Sequence, residues 1–261
     1  MDIASLGGLL LGLGSLALAF IIEGGSMGML WTKTAFLIVF GGTIGATILS
    51  FTPKELKTVP HFFKVVFDAK NIDYLTILDN LVDTADKARR EGLLSLEGQL
   101  AQIDNPFLAR GLQLVIDGTD PDLTRNMLEM EIEAYEKAEK VGADMFMTAG
   151  GFSPTMGIIG TVMGMVNVLS NLSNPDELGP AISVAFLATL YGIFSANLLW
   201  IPFGTKIKIK TAKEALLMEL ILEGILSIQA GENPRVIREK LLTFLPDDIK
   251  GAAQIEEQAR M

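Results

Sequence analysis

The fold is decided by residues 152–204, FSPTMGIIGTVMGMVNVLSNLSNPDELGPAISVAFLATLYGIFSANLLWIPFG. They belong to two long apolar runs, 148–172 and 178–203, which a short polar turn joins. Each run is long enough to cross a bilayer core, which takes about 20 apolar residues in a helix. No Asp, Glu, Lys, Arg or His lies between residues 149 and 173 or between 179 and 204. The stretch therefore predicts two membrane helices whose polar groups are hydroxyls and backbone exposed by glycine and proline.

The N-terminal segment predicts a second pair of membrane helices. Residues 3–22 are apolar apart from Ser and Gly, and residues 34–51 form another apolar run. A signal peptide would begin with positive charge and carry a shorter apolar run, so we expect a retained helix. Both runs have pairs of small residues four positions apart: Gly8 and Gly12 in the first, and Gly41 with Gly45 and Gly42 with Ala46 in the second. Such spacings let helix backbones approach closely in lipid.

The distribution of Lys and Arg predicts the orientation. Two polar segments, 53–147 and 205–261, hold 20 of the 21 basic residues, and the remaining one, Lys33, borders the first short loop. Cytoplasmic loops carry the excess of Lys and Arg in membrane proteins. We therefore expect both polar segments and both termini inside the cell. The loops near 23–33 and 173–178 should face outside.

This pattern predicts an all-α polytopic membrane protein with four transmembrane helices and a charged helical cytoplasmic domain. The charged segment 129–140 runs without a breaker toward the third membrane helix, which predicts one long helix. The tail should form a long helix, a turn at 231–234 and a shorter helix. The predicted domains are membrane helices 1 and 2 (1–52), a cytoplasmic helical domain (53–147), membrane helices 3 and 4 (148–204) and a cytoplasmic helical tail (205–261).

Composition excludes several classes of function. The net charge of −10 argues against nucleic acid, whose partners usually carry a basic patch. The chain has no Cys, so thiolate metal sites are excluded, and the single His61 is best explained as structural or interfacial. No nucleophile–base pair, phosphate loop or metal cluster is recognisable. We expect neither an enzyme nor a bound cofactor or metal, and favour transport or energy coupling.

Thr161 and Thr189 are the strongest site candidates within the apolar runs. The helix face that carries Thr161 also carries, at helical spacing, Pro154, Ile158 and Met165. Pro154 frees a backbone carbonyl one turn earlier. That carbonyl and the two hydroxyls are suited to a wet polar pocket for a small cation. The alternative is that each threonine bonds only to its own helix backbone.

The missing carboxylate is equally informative. Proton pathways inside membranes are marked by protonatable groups, which are too costly to keep there otherwise. This chain has none in the middle of its apolar runs. If ions cross here, a partner helix should bring the carboxylate.

The motifs of the two apolar runs resemble the third and fourth membrane helices of the MotA/PomA family of flagellar stator A subunits. The matching strings are PTMGIIGTVMG at 154–164, NP at 174–175, ATLYG at 188–192 and IP at 201–202. Further similarity lies in the Gly-Gly pair of the second helix and the GENP turn at 231–234. The resemblance covers nearly the whole chain.

The resemblance implies a set of partners. In the family, a B subunit supplies a single membrane Asp and a peptidoglycan-binding domain, and a ring of five A subunits surrounds two B helices. Ion passage past that Asp turns the ring against a switch-complex protein of the rotor. We expect the same partners here, with contacts to membrane lipids but not to nucleic acid. The expected location is the bacterial cytoplasmic membrane.

The resemblance also implies site residues. The expected ion pathway comprises Pro154, Thr161, Ala188, Thr189, Tyr191 and Pro202. The string RREGLLSLE at 89–97 is similar to the family's R-x-x-G-x-x-S-L-E segment, whose Arg and Glu meet rotor charges. By that match Arg89 and Glu97 face the rotor, with Arg90 as a substitute for Arg89. Composition alone favours a solvated helix face for this segment.

Residue 188 bears on the identity of the ion. Sodium-type relatives tend to have Thr-Thr-Leu-Tyr-Gly where this chain has Ala188-Thr189-Leu190-Tyr191-Gly192. The loss of one hydroxyl favours protons over sodium. Two alternatives to a stator stay open. One is an ExbB/TolQ-type motor subunit energising an outer-membrane partner, which has three membrane helices, and the other is a non-conducting membrane scaffold.

Overall fold

The computed structural model describes residues 2–69, 72–100, 103–170, 172–173, 175–246 and 249–251. Within these residues, helices form all the regular secondary structure. The all-α prediction is confirmed for this part of the chain. Two helices contain a wider π-helical turn, one at Leu37–Gly41 and the other at Ala196–Trp200. The helices, in chain order, are α1 Ile3–Ile22, α2 Lys33–Ser50, α3 Pro53–Leu56, α4 Val59–Phe67, α5 Tyr74–Glu91, α6 Glu97–Leu100, α7 Pro106–Ile116, α8 Pro121–Ser170, α9 with its parts Pro175–Ser195 and Ile201–Gln229, and α10 Pro234–Phe244.

Four helices are long and apolar enough to cross a membrane, which confirms the predicted number for the described residues. Helices α1 and α2 are apolar over their length. Helices α8 and α9 have apolar segments, 148–170 and 178–203, and outside these they are charged. The predicted continuity of the charged segment with the third membrane helix is confirmed, because α8 is one helix of 50 residues.

The chain forms two compact units. The first comprises Met1–Lys70 and Ala138–Ile209, and the second comprises Asn71–Lys137 and Lys210–Met261. The first unit contains the four apolar segments with α3 and α4, and the second contains α5, α6, α7 and α10. The predicted domain boundaries follow the expected membrane topology instead of these units, and they stay a prediction.

In the first unit, single glycines let α1 and α2 approach their neighbours. A Cβ added at Gly12 would lie 3.0 Å from a methyl carbon of Leu198 on α9. A Cβ added at Gly42 would lie 2.7 Å from the sulfur of Met156 on α8. Gly8 has no such neighbour within 4 Å. Of the small residues predicted to mediate close approach, Gly12 and Gly42 therefore do so within the chain.

The second unit has an aliphatic core. Leu81, Leu128 and Ile225 are fully buried there, and Gly224 makes room for the Leu81 side chain. Burying each such side chain stabilises the fold by about 1.5–3 kcal/mol. The Tyr74 hydroxyl donates a 2.9 Å hydrogen bond to the Lys213 carbonyl and ties α5 to the charged part of α9.

Polar caps set where the helices begin. The Asp2 carboxylate accepts from the backbone N–H groups of Ala4 and Ser5 at 3.0 and 3.3 Å. It also pairs with Lys206, and this hydrogen-bonded contact is the largest cause that lowers the pKa of Asp2 to about 2. Helix α3 begins with a capping box, in which the Glu55 carboxylate accepts from the Thr52 N–H at 2.7 Å.

Candidate functional site

Helices α8 and α9 meet along two faces of small residues. We call this contact the small-residue seam. On each helix these residues recur every three or four positions, so they share one face. In antiparallel order the seam pairs Ser153 with Ser195, Gly157 with Gly192, Gly160 with Ala188, and Gly164 with Ala185.

The backbones touch along the seam because side chains are missing there. A Cβ added at Gly157 would lie 2.9 Å from the Ala188 carbonyl oxygen and 3.3 Å from Gly192 Cα. A Cβ added at Gly192 would lie 2.6 Å from the Ser153 carbonyl oxygen. Close backbone approach replaces the hydrophobic driving force that membrane helices lack in lipid.

Thr161 and Thr189 meet on one flank of the seam. Their hydroxyls are hydrogen-bonded to each other, and both side chains are half-buried. The Thr161 Oγ1 atom also lies 2.9 Å from the Ala185 carbonyl oxygen across the contact and 3.1 Å from the Gly157 carbonyl oxygen of its own helix. A hydroxyl has one proton, so when Thr161 donates to a carbonyl, Thr189 donates to Thr161. The threonines thus bond between helices as well as within one.

A second hydroxyl pair, Ser153 and Ser195, was not among the predicted site residues. Their Oγ atoms lie 2.6 Å apart, and both residues are fully buried. The Ser195 hydroxyl also lies 2.6 Å from the Tyr191 carbonyl oxygen. The signal that would have found them is the small-residue spacing, which places Ser153 on the face of Gly157.

Ala188 and Tyr191 lie away from the threonine flank. The Ala188 side chain is buried in the seam, and a Cβ added at Gly160 would lie 2.6 Å from its methyl carbon. The buried Tyr191 hydroxyl donates to the Leu30 carbonyl and accepts from the Thr32 N–H at 3.1 Å. These two predicted pathway residues therefore hold α9 against α8 and against the loop that precedes α2.

The face that carries Thr161 is uncovered in the single chain. Pro154 is half-buried, whereas Ile158 and Met165 on the same face are 57% and 40% exposed. Pro154 lies inside α8, and the helix continues past it. The predicted alignment of Pro154 with Thr161 places the hydroxyl pair on a surface that another helix can cover.

Pro202 is exposed and lies two residues after Trp200, the last residue of the π-helical turn Ala196–Trp200. A proline ring clashes with the carbonyl four residues earlier and offers no N–H to it. The wider turn moves that carbonyl aside, so α9 can continue without a sharp break. The sequence predicted Pro202 as a site residue but not the wider turn before it.

The residues predicted to face the rotor lie at the end of α5 and the start of α6. Arg89, Arg90 and Glu97 are exposed. Arg90 pairs with Asp86 one turn earlier, with Nε 3.1 Å from Oδ1, whereas the described residues provide no ion pair for Arg89 or Glu97. Gly92, with φ +86, ends α5 between them in a conformation that favours glycine. Arg89 and Glu97 thus offer two charges to an external partner.

The threonine flank supplies hydroxyl and carbonyl oxygens but no charge. Within the described residues, no group of three or more His, Asp or Glu could hold a metal ion. Hydroxyls can bond water and pass a hydrogen bond along, but they do not ionise at physiological pH. An ion at this flank would need a negative charge from outside the chain.

Two family models match the chain. Residues 6–92 match the N-terminal model of motility protein A, and residues 99–220 match the MotA/TolQ/ExbB proton channel family. Motility protein A of Bacillus subtilis is 41% identical over 99% of this chain and 97% of its own. Chemotaxis protein PomA of Vibrio alginolyticus is 36% identical over 98% of this chain and 100% of its own.

Two solved stator complexes have the same fold. The C. jejuni MotAB structure has a TM-score of 0.91 and 33% identity, and the match covers 95% of this chain and 97% of that one. The flagellar MotAB stator complex from Bacillus subtilis has a TM-score of 0.90 and 40% identity, over 95% and 98% of the two chains.

Proposed function

The chain belongs to the motility protein A family of flagellar stator subunits, and we propose that it surrounds a B-type partner, conducts protons past an Asp of that partner and generates torque on the rotor. One observation carries this proposal. The Thr161–Thr189 pair lies half-exposed on an uncovered helix face, in an apolar segment without a carboxylate.

A partner helix supplies what this face lacks. When Thr161 donates to Thr189, the Thr189 hydroxyl is free to donate to a carboxylate against the threonine flank, which stabilises the charged form of that carboxylate. The same helix would cover the exposed Ile158 and Met165 side chains. Two solved complexes that resemble this chain are MotAB assemblies. We propose a ring of A subunits, five in number, around two B helices that are anchored to peptidoglycan.

The membrane potential would supply the energy for rotation. Moving one charge across the membrane provides about 2.3 kcal/mol per 100 mV. This is several times the thermal energy, so rotation needs neither a nucleotide nor a bound cofactor. The proposed subunit is therefore an ion-driven motor part, not an enzyme.

Protons fit the threonine flank better than sodium. Sodium needs several free oxygen ligands to replace its hydration shell, whereas a proton needs one acceptor and a water path. Here the Thr161 and Thr189 oxygens bond each other, and Thr161 also bonds the Ala185 carbonyl. The Ala188 methyl carbon lies in the seam, where it provides no oxygen.

Torque would reach the rotor through the exposed charges of the second unit. Arg89 and Glu97 are the proposed contacts, because Arg90 already pairs with Asp86. The basic residues of this unit and of the tail favour a cytoplasmic location for both. The proposed setting is the bacterial cytoplasmic membrane with both termini inside.

The proposal is tested by swimming in sodium-free potassium buffer with the B subunit co-expressed. We expect swimming to persist there and to stop when a protonophore is added. Thr161→Val should abolish swimming at normal membrane levels of the protein. The matched control is Thr155→Val, since the exposed Thr155 hydroxyl bonds only within α8, to the Phe152 carbonyl at 2.7 Å. Swimming that requires sodium, or normal swimming with Thr161→Val, would contradict the proposal.

A further inference from the structure

The first unit has an apolar pocket of about 390 Å³ at one end of its membrane segments. It lies between the last turns of α2, the short helices α3 and α4, and the ends of the apolar segments of α8 and α9. Its lining is apolar except for Thr47, whose hydroxyl donates to the Thr43 carbonyl at 2.8 Å, and the indole N–H of Trp200. The volume is in the range of ligand sites in proteins.

The pocket opens beside exposed apolar side chains. Ile44 and Ile48 of its wall, on the apolar helix α2, are 48% and 52% exposed. On the α4 side Phe63 is 38% exposed. An opening lined by such residues at the end of a membrane helix is reached from the acyl layer and not from water. Its occupant should therefore be an apolar chain.

Trp200 lies in the pocket wall, and its indole N–H lacks a hydrogen-bond acceptor in the described part of the chain. Its indole Nε1 is buried and has no acceptor among the described residues. Indole N–H is a donor only, and it usually finds a partner when it is buried. Tryptophans at the ends of membrane helices lie at the depth of the lipid headgroups. The ester carbonyls of a phospholipid occupy that same depth.

Two lysines next to the pocket could pair with an anionic group of a ligand. Lys54 and Lys57 flank the wall residue Leu56, and both are exposed. The described residues provide no carboxylate partner for either one. At the same end of the membrane segments, Lys206 pairs with Asp2 and Lys208 lies 3.8 Å from Asp144. Lys54 and Lys57 thus place two positive charges, without an ion-pair partner in the described part of the chain, beside the pocket.

We propose that this pocket binds one anionic phospholipid. An acyl chain fills the apolar pocket, an ester carbonyl accepts from Trp200 Nε1, and the headgroup phosphate pairs with Lys54 and Lys57. An apolar helix of a second copy would cover the pocket, but it would supply neither the acceptor nor the anion. The site is separate from the threonine flank, and the proposal does not depend on which ion the protein conducts.

The chain offers a spectroscopic test, because it has only two tryptophans, Trp31 and Trp200. With any tryptophan of the B subunit replaced by phenylalanine, Trp31→Phe leaves Trp200 as the sole tryptophan of the complex, and Trp200→Phe leaves Trp31 as the matched control outside the pocket. The full chain with its B subunit is placed in nanodiscs of phosphatidylcholine with a minor fraction of phosphatidylglycerol. The phosphatidylglycerol carries brominated acyl chains, which quench a tryptophan that they contact.

We expect brominated phosphatidylglycerol to quench Trp200 well beyond its share of the lipid, and brominated phosphatidylcholine at the same fraction not to do so. Quenching of Trp31 should follow the lipid share for both probes. Lys54→Gln and Lys57→Gln should each lower the preference for phosphatidylglycerol about fivefold. These lysines are exposed, so the variants should assemble normally.

Three results would overturn the proposal. Equal quenching of Trp200 by both lipids would remove the anionic selectivity. Weaker quenching of Trp200 than the lipid share predicts would show a pocket closed by protein, whether a second copy or the partner helix. An undiminished preference in the Lys54→Gln/Lys57→Gln double variant would exclude the lysines as headgroup contacts.

Discussion

Two pairs of hydroxyls lie on the same contact between α8 and α9, yet their surroundings differ. Ser153 and Ser195 are fully buried in the seam and bond to each other at 2.6 Å. Thr161 and Thr189 bond in the same way but are half-exposed on the flank. The chemistry of the two pairs is nearly the same, so exposure decides what each can do. A buried pair holds helices together, and a half-exposed pair can also meet water, an ion or a partner.

Each threonine comes one residue after a residue of the seam, whereas each serine is itself a residue of the seam. Thr161 follows Gly160 of the seam, and Thr189 follows Ala188. Successive residues of a helix point about 100° apart, because a turn takes 3.6 residues. A threonine next to a seam residue therefore points to the side of the contact. The seam sets the separation of the helices, and the flank keeps its hydroxyls accessible.

The strongest way to break this arrangement is to force the seam apart. Gly157→Val would place a branched side chain against the Ala188 carbonyl, 2.9 Å from the new Cβ. Backbone cannot move aside as a flexible side chain can, so the cost should exceed the about 1–3 kcal/mol of ordinary overpacking. We expect loss of the folded protein from the membrane, measured by immunoblot.

The control for Gly157→Val is Gly151→Ala, where an added Cβ meets nothing within 4 Å. That variant should accumulate normally. Normal accumulation and swimming with Gly157→Val would show that the two backbones do not touch.

Ala188→Thr distinguishes a seam residue from a flank residue. The added atoms would press on Gly160 and should destabilise the protein by about 1–3 kcal/mol. We expect a lower midpoint of thermal aggregation in detergent and no new requirement for sodium. Ala188→Val, which has the same shape without the hydroxyl, should behave alike. A sodium requirement in the threonine variant alone would assign this position to the ion pathway.

Ser195→Ala should weaken the fold more than the motor. It removes the partner of Ser153, and a buried hydrogen bond contributes about 1 kcal/mol. Thermal aggregation should occur at a lower temperature, while swimming persists at the permissive temperature. In a double-mutant cycle, the Ser153→Ala/Ser195→Ala double variant should lose less stability than the sum of the losses in the two single variants. Complete loss of swimming with normal stability would instead give the buried pair a role in conduction.

The smallest expected effect concerns Asp73, the N-cap of α5, which titrates with pH whereas the two hydroxyl pairs do not. Asp73 accepts from the Thr76 hydroxyl and from the Thr76 N–H at 3.1 Å, and these bonds lower the pKa of Asp73 below its usual value of 3.8. Its stabilisation is therefore present above that value and is lost as the pH falls through the lower pKa of the folded protein. The hydroxyl pairs should not respond to pH in this range.

We expect Asp73→Ala to destabilise helix α5 by about 1 kcal/mol at neutral pH, because it removes an N-cap. The difference from wild type should shrink as the pH falls below 3.8. Circular dichroism melts of the detergent-solubilised chain at several pH values measure this. Asp73→Asn keeps a cap without a titrating group, so the difference between Asp73→Ala and Asp73→Asn should not change with pH. A constant difference between Asp73→Ala and wild type at every pH would contradict the linkage.

Local patterns were sufficient to predict the membrane helices of this protein. Four apolar runs predicted four membrane helices, because a bilayer requires long stretches whose backbone bonds are satisfied internally. The unbroken charged segment before Thr148 predicted the long helix α8, and Asn233-Pro234 predicted the start of α10. Thr161 and Thr189 could be selected from the sequence because hydroxyls are rare polar groups in otherwise apolar segments.

The sequence by itself thus determined the four membrane helices and the candidate hydroxyls, both of which depend on residues close along the chain. Only the tertiary structure decided that Ser153 meets Ser195, that Ala188 lies in the seam beside Gly160, and that Tyr191 bonds the loop before α2. Such contacts join residues as far apart as 161 positions in the chain. Their geometry depends on how two helices rotate and approach, and a periodicity within one helix does not specify that.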